Sequence, residues 1–259
     1  MRSNTLYGLC LLWLGTAPVR AAEPAAFEQA NQQFQKGEFA ATAAAYEQIL
    51  VTEGPRAAVY YNLGNSYQRL ARYGHAILAY ERARLLSPRD QDLLANLVLA
   101  RKAATAFEEP GPQPRLDAAL HYFSRNEWSW WVAASALCLG GLSLLRGLVA
   151  MPRRGWRQVT LAAAAVAGLT LIAGAAALYL RRDEAALGII LTDKAAVRLS
   201  PFEQAESLGT PGLGRSVRLC GASGDFRYVE VPGTSLHGWL AARDVAAIIP
   251  ESAGSSSMQ

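Results

Sequence analysis

Cysteine and histidine are almost missing from this chain of 259 residues, three of each, and those present stand apart. Cys10, Cys138 and Cys220 fall in a leader-like first stretch, in an apolar run and in the C-terminal region. No structural disulfide is therefore expected, and the parts must be stable without one. His75, His121 and His237 show no ligand spacing, so neither a metal centre nor a cofactor is expected. No serine, cysteine or carboxylate pair stands beside a histidine in a recognisable motif, which argues against an enzyme. The net charge of +4 comes from scattered arginines without a basic tract interleaved with aromatics, which argues against a nucleic-acid partner.

Charge is absent from two long runs, Trp128 to Leu145 and Val159 to Leu180. A helix crossing a bilayer needs about 20 apolar residues. The first run reaches that length if Arg146 extends its charge into the headgroups. The spans are expected at 128–150 and 159–180, joined by a turn at 151–158. Arg146, Arg153, Arg154 and Arg157 lie in or beside that turn, and short loops rich in arginine stay on the cytoplasmic side. Both flanking regions are then outside. Trp128, Trp130, Trp131, Trp156 and Tyr179 suit the two headgroup belts. Residues 1–21 carry Arg2, an apolar run from Leu6 to Leu14 and small residues before Ala21. That is the pattern of a secretory signal peptide, a second argument for export.

Residues 22–107 carry a repeat at an offset of 34 residues, which aligns Ala30 with Gly64, Phe39 with Tyr73, Thr42 with Ala76 and Tyr46 with Tyr80. Gly64 and Ala76 permit close approach of two antiparallel helices, aromatics fill the space between them, and Pro88 stops the second. A third unit has one helix only, expected to close the stack with a polar face and started by Asp90 and Asp92. The positions Tyr60, Leu63, Gly64, Tyr67, Tyr73, Ala76, Tyr80, Ala83 and Pro88 resemble the tetratricopeptide repeat. The resemblance implies an all-α solenoid that binds protein segments on its concave face. The same offset aligns Asn31 with Asn65 and Asn62 with Asn96. Amides both donate and accept, so this column suits an extended peptide backbone, with Phe27 and Tyr61 as apolar contacts and Arg69 for an acidic group. The alternative is that the asparagines only tie neighbouring repeats together. The carboxylate-clamp form of this family needs lysines where Phe27 and Asp92 stand, which disfavours that partner class.

Residues 108–127 begin with a proline and glycine linker. They continue into an interfacial segment with Leu116, Leu120 and Phe123 at helical spacing, and Ser124 is placed to cap the first span. Ala164 with Gly168, and Gly140, Gly141 and Gly174, are candidate close approaches between the spans. From 184 to 250 five short β-branched runs broken by turns suggest a small barrel, followed by a polar tail at 251–259. Val197-Arg198, Ser200-Pro201, Gly212 to Gly214, Phe226 to Val229 and Gly238-Trp239-Leu240 resemble the bacterial SH3-like domain. Phe226, Tyr228 and Trp239 are expected in the barrel core; as an alternative they line a peptide groove.

The order of signal peptide, repeats, two-span hairpin and SH3-like barrel resembles the BatE proteins of the Bacteroides aerotolerance group. The resemblance implies a scaffold in the bacterial inner membrane, with repeats and barrel in the periplasm, acting with other envelope proteins in stress tolerance. A second reading makes the barrel a module that binds peptidoglycan.

Overall fold

The computed structural model describes residues 25–106, 114–148 and 154–250. The expected signal peptide, nearly all of the proline and glycine linker, residues 149–153 of the turn region and the polar tail lie outside these residues.

Five helices come first: α1 (Ala25–Gln35), α2 (Phe39–Glu53), α3 (Ala57–Arg69), α4 (Tyr73–Leu86) and α5 (Gln91–Ala103). Each packs on its neighbour in the chain, as helices joined by short turns do. Tyr46, Tyr80, Ile77, Val59 and Leu93 are fully buried among them. At Gly64 an added Cβ would lie 2.5 Å from the Tyr80 ring, so glycine provides the floor on which that ring rests. α5 starts on Asp90, whose carboxylate accepts from the backbone N–H of Asp92 and Leu93 at 3.1 Å. Its outer face is not the polar cap expected, because Val98 and Leu99 are 64% and 53% exposed there.

The C-terminal region is a seven-stranded antiparallel sheet in place of five strands. Its strands are β1 (Leu187–Ile190), β2 (Val197–Arg198), β3 (Ser207–Gly209), β4 (Ser216–Ser223), β5 (Phe226–Glu230), β6 (His237–Ala241) and β7 (Val245–Ala247). The order is β3-β2-β6-β5-β4-β1-β7. β3 carries no β-branched residue, and the run from His237 is split into β6 and β7 by a 3-10 turn at Ala242–Asp244, so sequence pattern missed both. Val197, Val217, Val229, Leu240 and Val245 share one core with Ile190. In a flat sheet β2 and β7 would lie about 24 Å apart, so the sheet curls around these residues.

β1 is buried on both faces. Ile190 belongs to the core inside the sheet, whereas Ile189 joins the core of the helices together with Ile248. Side chains alternate along a strand, and a strand covered on both sides reads as a continuous apolar run, as LGIIL does. Arg82 of α4 donates to the carbonyl oxygens of Ala247 and Ile248 at 2.9 and 3.1 Å. The helices and the sheet therefore share one apolar seam, in which Ile189 and Ile248 contribute about 2 kcal/mol each.

Between these two parts the chain forms α6 (Pro114–Tyr122), α7 (Arg125–Leu148) and α8 (Arg154–Leu180). α7 and α8 are long and apolar enough to cross a membrane, and only 6% and 17% of their apolar windows are buried. Leu137, Leu144, Val166, Leu169 and Ile172 are exposed, unlike the core helices of a water-soluble protein. α8 begins at Arg154, inside the span expected for the turn. The two helices touch through Ser135 and Thr170, whose hydroxyls lie 2.7 Å apart, and at Gly174, where a Cβ would lie 2.8 Å from Val132. At Gly140, Gly141 and Gly168, candidates for the same role, an added Cβ would point into open space.

α7 opens on a reciprocal cap. The backbone N–H of Ser124 donates to Glu127 at 2.8 Å, and that of Glu127 donates to the Ser124 hydroxyl at 3.2 Å. This satisfies helix-start donors with side chains. At the other end of the hairpin Arg181 is buried. It donates to the carbonyls of Leu120 and Phe123 at 3.1 and 2.8 Å and grips Glu184 at 2.7 and 3.1 Å. His121 of α6 meets the same carboxylate at 2.8 Å. These contacts fasten the end of α8 to α6 and to the 3-10 turn at Arg182–Ala186 that leads into β1.

The seam between helices and sheet makes a mutational prediction. A Cβ at Gly74 of α4 would lie 2.8 and 2.7 Å from the carbonyl oxygens of Ile190 and Leu191, backbone atoms that cannot swing aside. Gly74→Ala is expected to lower stability by about 2 kcal/mol and to split the thermal unfolding of the full chain in detergent into two transitions. An unchanged single transition would contradict the shared core.

Candidate functional site

The asparagines of α1 and α3 come together at a groove of about 310 Å³ lined by Glu28, Asn31, Phe34, Gln35, Tyr46, Asn62 and Asn65. In α1, Glu28, Asn31 and Gln35 are spaced so that they share one helix face. Sequence reasoning found the asparagines but not Glu28, Phe34 or Gln35, although that spacing was present around Asn31.

The geometry repeats from one helix pair to the next. The Tyr46 hydroxyl donates to Asn31 Oδ1 at 2.5 Å, and Asn62 Nδ2 donates to the same oxygen at 3.1 Å. One repeat later the Tyr80 hydroxyl lies 2.7 Å from Asn65 Oδ1 and 2.8 Å from Gln68 Oε1, while Asn96 Nδ2 donates to Asn65 Oδ1 at 3.1 Å. The rings of Phe27 and Tyr46 lie 5.8 Å apart, and those of Tyr61 and Tyr80 6.1 Å. Burial, with Tyr61 beside it, raises the Tyr80 hydroxyl above its ordinary pKa and keeps it a donor. The tyrosines, expected only to fill space, thus fix which way each amide faces. In both amides the inward atom is Oδ1, on which the tyrosine hydroxyl and the asparagine of the neighbouring helix converge.

The tie between repeats is therefore real, and it does not exhaust the amides. Asn31 and Asn65 use their oxygens inward, and no side-chain hydrogen bond among the described residues engages their NH2 groups. Half-buried on a groove, these groups suit carbonyl oxygens of an extended chain. Asn96 donates to the Tyr61 hydroxyl at 3.0 Å and stands one repeat away. Phe27 is buried rather than offered to a ligand, and Arg56 lies over its ring at 5.3 Å. Arg69 lies over the Phe39 ring at 4.7 Å and does not line the groove.

A second surface lies on the sheet. Tyr228 and Trp239 face each other across β5 and β6 with rings 5.3 Å apart and nearly perpendicular, and Trp239 is paired in register with Arg198 of β2. Both aromatics are half-buried and neither belongs to the sheet core. This differs from the barrel-core role expected for them. The reason is alternation: Val229 and Leu240 take the inward positions, so their neighbours face outward. Phe226, on the same side of β5 as Tyr228, is buried beside Lys194, Arg198 and Arg243.

Among the described residues no group of three or more His, Cys, Asp or Glu side chains is arranged to hold a metal. No family model, no curated protein and no solved structure matches this chain.

The tyrosine network predicts its own cost. Tyr80→Phe removes the proton shared by Asn65 and Gln68, and stability is expected to fall by about 1 kcal/mol. For this size of protein that lowers Tm by roughly 2–4 °C in a thermal scan. No change in Tm would show that the hydroxyl does not hold the amide.

Proposed function

We propose that this chain is a non-enzymatic, membrane-anchored adaptor that binds extended segments of protein partners in the groove between α1 and α3. The observation that carries this reading is the pair of oriented amides of Asn31 and Asn65, with donors turned to a concave surface at repeat spacing. The helix pairs are read as tetratricopeptide repeats and the curled sheet as a bacterial SH3-like barrel. Their order is similar to that of the BatE proteins. The arginines near the turn of the hairpin favour an inner-membrane orientation with both folded parts in the periplasm. In that setting the partners are other envelope proteins, linked to stress tolerance by the family resemblance alone.

A second reading, peptidoglycan binding, is favoured by the outward Tyr228–Trp239 pair on the sheet. Its test needs the full chain, because an isolated sheet would expose Ile189 and Ile248. Sedimentation with purified sacculi that is lost in Trp239→Ala supports this second function.

For the groove, Asn31→Asp and Asn65→Asp keep the inward oxygen and remove the amide hydrogens. With a photo-crosslinking residue at Gln35, partner recovery from native membranes is expected to drop about tenfold while Tm changes little. Full recovery with both substitutions in place rules out the amide groove as the binding site.

A further inference from the structure

The offset that repeats the asparagines also repeats the seat on which the second helix of each pair sets its tyrosine. Tyr46 of α2 meets Phe27 and Asn31 of α1. Tyr80 of α4 meets Tyr61, Gly64, Asn65 and Gln68 of α3. Moving the α3 seat on by 34 residues gives Ala95, Val98, Leu99 and Lys102 on α5. All four are exposed, while Leu93, Leu97 and Ala100 on the other side of the helix are buried in the core. α5 thus carries the seat for a second helix, and nothing in the described chain occupies it.

The chain cannot supply that helix between α5 and α6. α4 has 14 residues, whereas only residues 104–113 separate Ala103 from the start of α6. α6 has 9 residues, is held by His121 and Arg181 at the junction, and leaves the seat open. A second copy is also a poor donor. Its α2 and α4 already bury their apolar faces through Tyr46, Ile49, Ile77 and Tyr80, so giving one up means unfolding it.

We propose that the outer face of α5 docks an amphipathic helix of a partner protein, which completes the third pair in trans. The seat states what that helix carries. Leu99 stands where Asn65 accepts the tyrosine hydroxyl, and Val98 where Gly64 leaves room for a flat ring. The incoming residue is therefore aliphatic and lacks a hydroxyl, since a buried hydroxyl without a partner is penalised. Lys102 favours an acidic residue one turn away along the incoming helix. None of the four residues lines the amide groove, so the inference holds whether or not the groove takes a peptide.

The test places a photo-crosslinking amino acid at position 95 of the full chain in native membranes and sequences the attached segment. The expected adduct is a segment of a different protein with apolar residues at helical spacing. Its yield falls about tenfold in Leu99→Asp, because docking would bury a carboxylate at an apolar contact, compete for Lys102 and repel the acidic residue of the incoming helix. Leu99 is exposed, so that variant keeps the wild-type Tm, which separates lost docking from lost folding. Adducts only to this same chain, only to lipid, or none at all would overturn the proposal, as would a yield that ignores the Leu99→Asp change.

Discussion

Two-sided burial of β1 is the constraint on which the rest of the structure depends. A strand at the surface of a sheet needs only one apolar face, but β1 gives Ile190 to the sheet core and Ile189 to the helices. Neither part can then move away without exposing large apolar side chains, each worth about 2 kcal/mol. Arg82 strengthens the same seam by bonding the carbonyls of Ala247 and Ile248. It also covers part of an edge of the sheet that would otherwise attract another strand. The groove on α1 and α3 and the aromatic pair on β5 and β6 are thus held at a fixed spacing.

β1 is also the strand that follows α8. The buried Arg181, with Glu184 and His121, joins the end of the apolar hairpin to α6 and to the lead-in of that strand. A buried arginine is tolerable only with its donors engaged, and here two carbonyls and a carboxylate receive them. Surfaces on the helices and the sheet are therefore held at a set height above the ends of the two apolar helices rather than on a loose tether. Under the adaptor reading proposed above, such fixed geometry reduces the entropy lost on binding.

Much of this was legible in the sequence, and for identifiable reasons. The apolar helices, the repeat at 34 residues and the role of Gly64 follow from spacing and residue size. Ser124 as a cap follows from a hydroxyl residue standing just ahead of the first apolar run, whereas the returning bond from Glu127 had to be seen in the structure. The alignment of Asn31 with Asn65 was visible, but the orientation of their amides was not, because it depends on tyrosines fifteen residues further on. The outward placement of Tyr228 and Trp239 was misread. Size argued for the core, yet alternation along β5 and β6 gave those positions to smaller aliphatic residues. The union of helices and sheet was hidden for another reason. LGIIL reads equally as a strand inside a barrel, and only the fold shows that one of its faces belongs elsewhere. The open seat on α5 had a trace in the sequence, since Val98 and Leu99 replace Gly64 and Asn65, but their exposure had to be seen.

The most direct measurement of the shared core is native-state hydrogen exchange on the full chain in detergent, comparing Ile77 to Ala79 of α4 with Ile189 and Ile190 of β1. If the two parts are one cooperative unit, these amides open with the same free energy and respond together to denaturant. Protection of α4 that persists while β1 exchanges orders of magnitude faster would contradict the account.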